Sequence, residues 1–149
     1  MVTLRFLFVL TSKELYSREL TQLDLLESKL NTSINLNNID VNLIEQSVIY
    51  YSNKYRSQNR KHELIFNEKL QKAAYLHSTQ MVNYDFFSHI NKQNSSLKDI
   101  ADRVEFAGYI DYETISENIF YGYIDTQNIG TYKDLAIFIV KSFFHTPII

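Results

Sequence analysis

The stretch LIFNEKLQKAAYLHSTQMVNYDFFSH, residues 64–89, decides the fold of this chain. Asn67 is a suitable N-cap for a helix, and Glu68 then places a negative charge at the positive end of the helix dipole. The side chains that follow at helical spacing and share one face are Leu70, Ala74, His77 and Met81. The stretch therefore predicts an amphipathic helix that leads into an aromatic loop ending at His89.

Outward from this helix, the pattern predicts further helices and one short strand. The helices span residues 12–30, about 42–59, from Ser95 or Ser96 to Gly108, and from Tyr132 to about Phe144, while the strand spans 115–121. Leu43, Ser47, Tyr50, Tyr51 and Tyr55 are expected on the inner face of the second of these. Thr131 and Asp134 offer a capping box for the last helix. An Asn-, Ser- and Thr-rich stretch, residues 31–42, predicts a linker.

The composition favours a helical domain and argues against several functions. The chain has 149 residues, of which 45% are hydrophobic, with only three glycines and one proline. Its formal charge of -2 provides no basic excess for nucleic acid or an anionic membrane. Cysteine is absent, which excludes disulfides and Cys-ligated zinc. No segment reaches the ~20 apolar residues that a transmembrane span needs.

The first ten residues allow two interpretations. Arg5 precedes a short apolar run, residues 6–10, as in the n- and h-regions of a secretory signal. The run is shorter than most signals, and small residues typical of a cleavage site do not follow it. The alternative is a frayed or core-facing first turn.

His89 and Glu117 are the candidate functional residues. Phe86 and Phe87 should bury their rings and hold His89 at the edge of a rigid element, where an imidazole can act as a base, a ligand or a hydrogen-bond donor. Glu117 lies in the predicted strand, where a buried carboxylate needs a partner such as His89 or Arg103. A solvent-facing glutamate is the alternative for Glu117.

Five ordered motifs across residues 42–123 make the chain resemble bacterial members of the CAP superfamily. This superfamily includes cysteine-rich secretory proteins, antigen 5 and plant pathogenesis-related proteins. The motifs are Tyr55-Arg56, the helix from Leu64 to Met81 with Ala73-Ala74 and His77-Ser78, Phe86-Phe87-Ser88-His89, Asp102-Arg103 with Gly108-Tyr109, and Ser116-Glu117-Asn118-Ile119. The last is similar to the family's Gly-Glu-Asn motif, with Ser116 in place of the glycine.

The resemblance implies an α+β fold of the CAP type, an α/β/α sandwich. It also implies a cleft with a His/Glu/Glu/His tetrad that binds zinc or another divalent cation in some members. His89 matches one tetrad histidine, which makes it the candidate metal ligand, and Glu117 matches one glutamate. The supporting residues by motif are Ser88, Asn118, Arg103 and His77.

The C-terminus departs from the family pattern. Ile148 and Ile149 stand where Gly-His is expected, and His145 lies four residues too early to match. The expectation is therefore a CAP domain at residues 42–149 that is mostly helical because its C-terminal strands are missing. Residues 1–41 are expected to form a separate apolar segment, helix and linker.

Three interpretations of the chain's function remain open at this point. The first is a secreted or surface-exposed protein that binds a lipid, a polypeptide or a glycan through a cleft containing His89 and Glu117. The second is a metal-assisted hydrolase or peptidase, for which two tetrad residues are few, since catalytic zinc usually has three protein ligands. The third is a truncated remnant without function. Binding is favoured over catalysis.

Overall fold

A computed structural model describes residues 2–10, 27–125 and 127–145. Residues 27–30 are helical, and the predicted helix at 12–26 lies outside the described residues. The named elements are β1 (Val2–Leu10), α1 (Val41–Gln58), α2 (Glu68–Asn83), a 3-10 helix (Ser95–Leu97), α3 (Ile100–Phe106), β2 (Ser116–Ile124) and α4 (Tyr132–His145). The described part of the chain is thus mostly helical, as predicted.

Side-chain caps determine where the helices begin. Asn67 caps α2 and accepts hydrogen bonds from the backbone N–H groups of Lys69 and Leu70, which confirms the predicted cap. Thr131 and Asp134 form the predicted reciprocal bonds at the start of α4. Gly108 has φ +84, the left-handed conformation predicted after α3.

The start of α3 was predicted wrongly. Asp99 is its N-cap and forms a capping box with Asp102, whereas Ser95 begins a separate 3-10 helix capped by Asn94. A carboxylate that accepts from a free N–H at the positive end of a helix is more favourable than a neutral hydroxyl. Two caps close together in the sequence therefore divide the predicted helix in two.

β1 and β2 are hydrogen-bonded neighbours in a two-stranded sheet. Residues 2–10 thus form a strand, and the alternative interpretation as a first turn is wrong. The run Val2–Leu10 is rich in β-branched and aromatic residues, which favour extended backbone. The signal-peptide interpretation of this segment stays a prediction.

The chain divides into two compact units. The first is formed within Lys13–Leu64 and Tyr123–Ile149, and the second contains Ile65–Gly122 with most of β1. In the second, α2 and α3 pack together through small and aliphatic side chains. The buried members of this core are Leu70, Ala73, Ala74, Val104 and Ala107. The domain division at residue 41 stays a prediction.

In the first unit, α1 packs against α4. Leu43 and Ser47 are buried on α1 as predicted, but Tyr55 is 38% exposed. Ile44 and Val48 are buried instead, so the inward stripe is rotated from the one predicted. Residues 31–40, predicted as a linker, are docked on this unit, since Ser33 forms a β-bridge with Thr131.

Candidate binding site

A turn of the backbone after α2 positions the loop that carries His89. Asp85 has φ 48, in the left-handed region, and the next N–H, of Phe86, donates to the carbonyl of Met81 at 3.1 Å. The Phe86 ring is half-buried, with its centroid 5.7 Å from that of His77. The expectation that Phe87 is also buried is wrong, because this side chain is 47% exposed.

His89 and Glu117 are in direct contact, as the sequence analysis expected. Nδ1 of His89 lies 2.7 Å from Oε2 of Glu117. The His89 side chain is 57% exposed, whereas that of Glu117 is only 3% exposed. An ionised carboxylate only accepts hydrogen bonds, so Nδ1–H is the donor. Nε2 has no hydrogen-bond partner among the described residues and is open to an external one.

Arg103 holds the other oxygen of the same carboxylate. Its Nη2 lies 2.5 Å from Oε1 of Glu117, and its side chain is only 1% exposed. Its Nη1 donates to the carbonyls of Leu97 and Lys98, at 3.3 and 3.1 Å. The guanidinium therefore joins β2 to the segment that precedes α3. Both oxygens of Glu117 are engaged, one by an arginine and one by a histidine.

Two buried side chains fix the backbone on which His89 stands. His77 Nε2–H donates to the carbonyl of Ser88 at 2.9 Å, and Arg103 Nη2 donates to the carbonyl of His89 at 3.2 Å. Both donors are fully or almost fully buried. Consecutive carbonyls held from the interior leave the peptide between Ser88 and His89 little freedom to rotate. The exposed imidazole is thus fixed through both its backbone and its side chain.

His77 is held neutral by its surroundings. Burial lowers its pKa below the usual 6.5, and the positive charge of Arg103 lowers it further. The charge of Glu117 and the bond to Ser88 raise this pKa, and His89 lowers it, but the net direction is down. Its Nδ1 is buried and has no hydrogen-bond partner in the described part of the chain.

His77 should make the protein less stable in mild acid. In the unfolded chain this imidazole binds a proton below about pH 6.5, whereas in the folded protein it resists protonation. The unfolded state then binds more protons, so the free energy of unfolding falls as the pH drops below 6.5. Urea unfolding of the wild-type protein and of His77→Gln between about pH 7 and pH 5 measures this.

The slope against pH should be smaller in His77→Gln than in the wild-type protein. The exposed His62 offers a matched control, and His62→Gln should keep the wild-type slope. Equal slopes for the wild-type protein and His77→Gln would show that His77 is not the acid-sensitive group.

The remaining predicted residues support the loop or β2. Ser88 Oγ accepts from the N–H of Ile90 at 3.0 Å, which is a local turn contact. Asn118 is half-buried in β2, next to Glu117. The Ser88 contact does not involve the imidazole of His89.

Two features around His89 were not predicted from the sequence. Phe87 and Tyr121 form an aromatic pair with centroids 5.7 Å apart, so the loop meets β2 at two places. Spacing carried a signal for this pair, since Glu117 and Tyr121 lie on one face of a strand. The other missed residue is Asn91, which is fully buried and bonded to Gln80 and to the N–H of Gln93.

Within the described residues, the metal role expected of His89 stays a prediction. Among them, no group of three or more His, Cys, Asp or Glu side chains could hold a metal ion. The side chain of His145 lies outside the described residues.

Comparisons with known proteins agree with this arrangement of motifs. Residues 49–148 match the family described as CAP: Cysteine-rich secretory protein family. The "Uncharacterized membrane protein YlbC" of Bacillus subtilis (strain 168) is 32% identical over 81 residues, a match that covers 54% of this chain and 22% of that relative. No solved structure matches the chain. The chain belongs to the CAP family.

The membrane label of this relative has no counterpart in the described helices. None of them combines the length and the apolar character that crossing a bilayer requires.

Proposed function

We propose that this CAP-family chain is a binding protein whose ligand contacts the surface around His89. The observation that carries the proposal is the contrast in exposure between a 57% exposed imidazole and its 3% exposed carboxylate partner. Groups that bind a partner must be open to solvent and preorganised, and His89 is both. We propose an extracellular or cell-surface location, supported by the family's description and the relative's name. The α/β/α sandwich belongs to the same proposal.

The neighbouring aromatic pair favours a polypeptide as the ligand. Phe87 is 47% exposed and Tyr121 is 40% exposed, and their rings are inclined at 48°. Two exposed rings beside each other offer an apolar surface on which an aliphatic, proline or aromatic side chain of a peptide can pack. Nε2 of His89 can then bond to a backbone group of the same ligand. A hydrocarbon lipid tail has no hydrogen-bonding group that could pair with that nitrogen.

An array of unstructured octapeptides tests the proposal, with an array of oligosaccharides beside it. The wild-type chain should bind a subset of peptides, and Phe87→Ala and His89→Ala should each weaken binding about tenfold. Tyr75→Ala is the matched control, because Tyr75 is an aromatic residue on α2 that is 63% exposed. Binding to neither array, or binding that no variant alters, would overturn the proposal and favour the non-functional remnant. Variant-sensitive binding to sugars alone would overturn the peptide assignment.

Zinc distinguishes this proposal from a metal-assisted hydrolase. Because the described residues offer no group of three or more His, Cys, Asp or Glu side chains for a metal ion, we expect added zinc sulfate to produce no thermal shift that depends on His89. A stabilisation that His89→Ala abolishes would instead indicate a metal site.

A further inference from the structure

A concave surface lies in the first unit and shares no residue with the site around His89. It is a cleft of about 470 Å³ between α1 and α4, here called the α1–α4 cleft. Its lining residues are Glu27, Asn31, Tyr51, Lys54, Tyr55, Gln58, Lys133, Ile137, Val140 and Lys141. The volume is within the range of about 300–1,000 Å³ that is typical of small-molecule sites.

The lining of the α1–α4 cleft is positive although the whole chain is negative. Lys54, Lys133 and Lys141 stand against a single carboxylate, that of Glu27, whereas the chain as a whole carries -2. Glu27 also accepts a hydrogen bond from the hydroxyl of Tyr50, which occupies one of its oxygens. In the described part of the chain, neither Lys54 nor Lys133 forms a salt bridge. An anion entering the cleft would therefore meet an excess of ammonium groups.

Aromatic rings form one wall of the cleft. Tyr55 stacks on Phe144 with centroids 3.9 Å apart, and both rings remain more than a third exposed. Nζ of Lys54 lies 6.0 Å from the centroid of Tyr51, at the outer limit of a cation–π contact. Burial, with Glu27 and Asp134, raises the pKa of Tyr51, so its hydroxyl remains a hydrogen-bond donor at neutral pH.

Aliphatic side chains of α4 add an apolar surface. Val140 is 4% exposed and Ile137 is half-buried, and both lie on the α4 face that carries Lys133 and Lys141. A ligand in the cleft thus meets ammonium groups, a phenol donor and flat or aliphatic walls together. An inorganic anion would use the ammonium groups and the phenol donor but not the apolar walls, and a neutral hydrocarbon would use only the apolar walls.

We propose that the α1–α4 cleft binds a small organic anion with a flat, apolar ring system. The acidic group pairs with the lysines, and the ring lies against Tyr55, Ile137 and Val140. This site is independent of the binding proposed at His89, because the two share no residue.

A fluorescent anionic naphthalene tests the α1–α4 cleft. Titration with 8-anilinonaphthalene-1-sulfonate should show saturable binding, and Lys54→Gln/Lys133→Gln should weaken it about tenfold. The matched control is Lys92→Gln/Lys98→Gln, which removes two exposed lysines outside the cleft. Tyr55→Ala should also weaken the dye, whereas His89→Ala should leave its affinity unchanged.

Competition separates the chemical classes. The non-fluorescent 2-naphthalenesulfonate should displace the dye, whereas equal concentrations of sodium sulfate or of 2-naphthol should not. Dye affinity that is unchanged in Lys54→Gln/Lys133→Gln would overturn the proposal. Displacement by sulfate as effective as that by 2-naphthalenesulfonate would mean that the cleft recognises charge alone. This result would also overturn the proposal.

Discussion

Arg103→Met is expected to lower the free energy of unfolding by about 3–5 kcal/mol, because it leaves a buried carboxylate without its cationic partner. Arg103 is 1% exposed, and Glu117, which it contacts, has a 3% exposed side chain. The same change removes the donors to the carbonyls of Leu97, Lys98 and His89. Urea unfolding at 25 °C measures the loss, and Lys92→Met, at an exposed position, provides the control.

A double variant separates the ion pair from the other contacts of Arg103. Arg103→Met/Glu117→Met removes both charges, so its loss should be smaller than the sum of the two single losses. Arg103→Lys keeps the charge but loses the planar fork of donors, so it should fall between wild type and Arg103→Met. Additive losses, or a Lys variant as damaged as the Met variant, would mean that the charge of Arg103 does little for stability.

The strongest sequence predictions concerned the helix that follows Asn67 and the elements near it. They succeeded where a local rule determines the outcome, as with the cap at Asn67 and the left-handed Gly108. They failed where two local rules compete within a few residues, as between Ser95 and Asp99. The strand at Val2–Leu10 was missed because its hydrogen bonds are made with β2, more than a hundred residues along the chain.

The contacts of the candidate site were predictable only in part. A carboxylate between two isoleucines in a strand needs a partner, and that argument anticipated both His89 and Arg103. Backbone carbonyls leave no such signal in the sequence, so the hydrogen bond from His77 to the carbonyl of Ser88 was not predicted. The exposure of Phe87 was also not predicted. The sequence does not show that this ring contacts Tyr121 and still remains 47% exposed.

The core between α2 and α3 gives the second large expected effect. Leu70→Ala should lower the free energy of unfolding by about 2–5 kcal/mol. Leu70 is 2% exposed and packs in a cluster whose other buried members include three alanines. The alanines cannot reorient into a cavity, so the extent of relaxation depends on the larger, partly buried side chains that pack against the cluster, such as Ile100, Tyr109 and Ile115. The loss should lie within that range. This amount is a large fraction of the roughly 5–15 kcal/mol that stabilises a typical domain.

Ile110→Ala is the matched control for Leu70→Ala, since Ile110 is an aliphatic residue of equal size that is 79% exposed. Its loss should stay within about 0.5 kcal/mol. Leu70→Met keeps the side-chain volume and should cost less than about 1.5 kcal/mol. Urea midpoints of the three variants, compared at constant slope, give these values.

A Leu70→Ala loss no larger than that of Ile110→Ala would mean that the packing of α2 on α3 does not stabilise the unit that carries His89. The buried cluster between α2 and α3 would then not explain the rigidity of the candidate site.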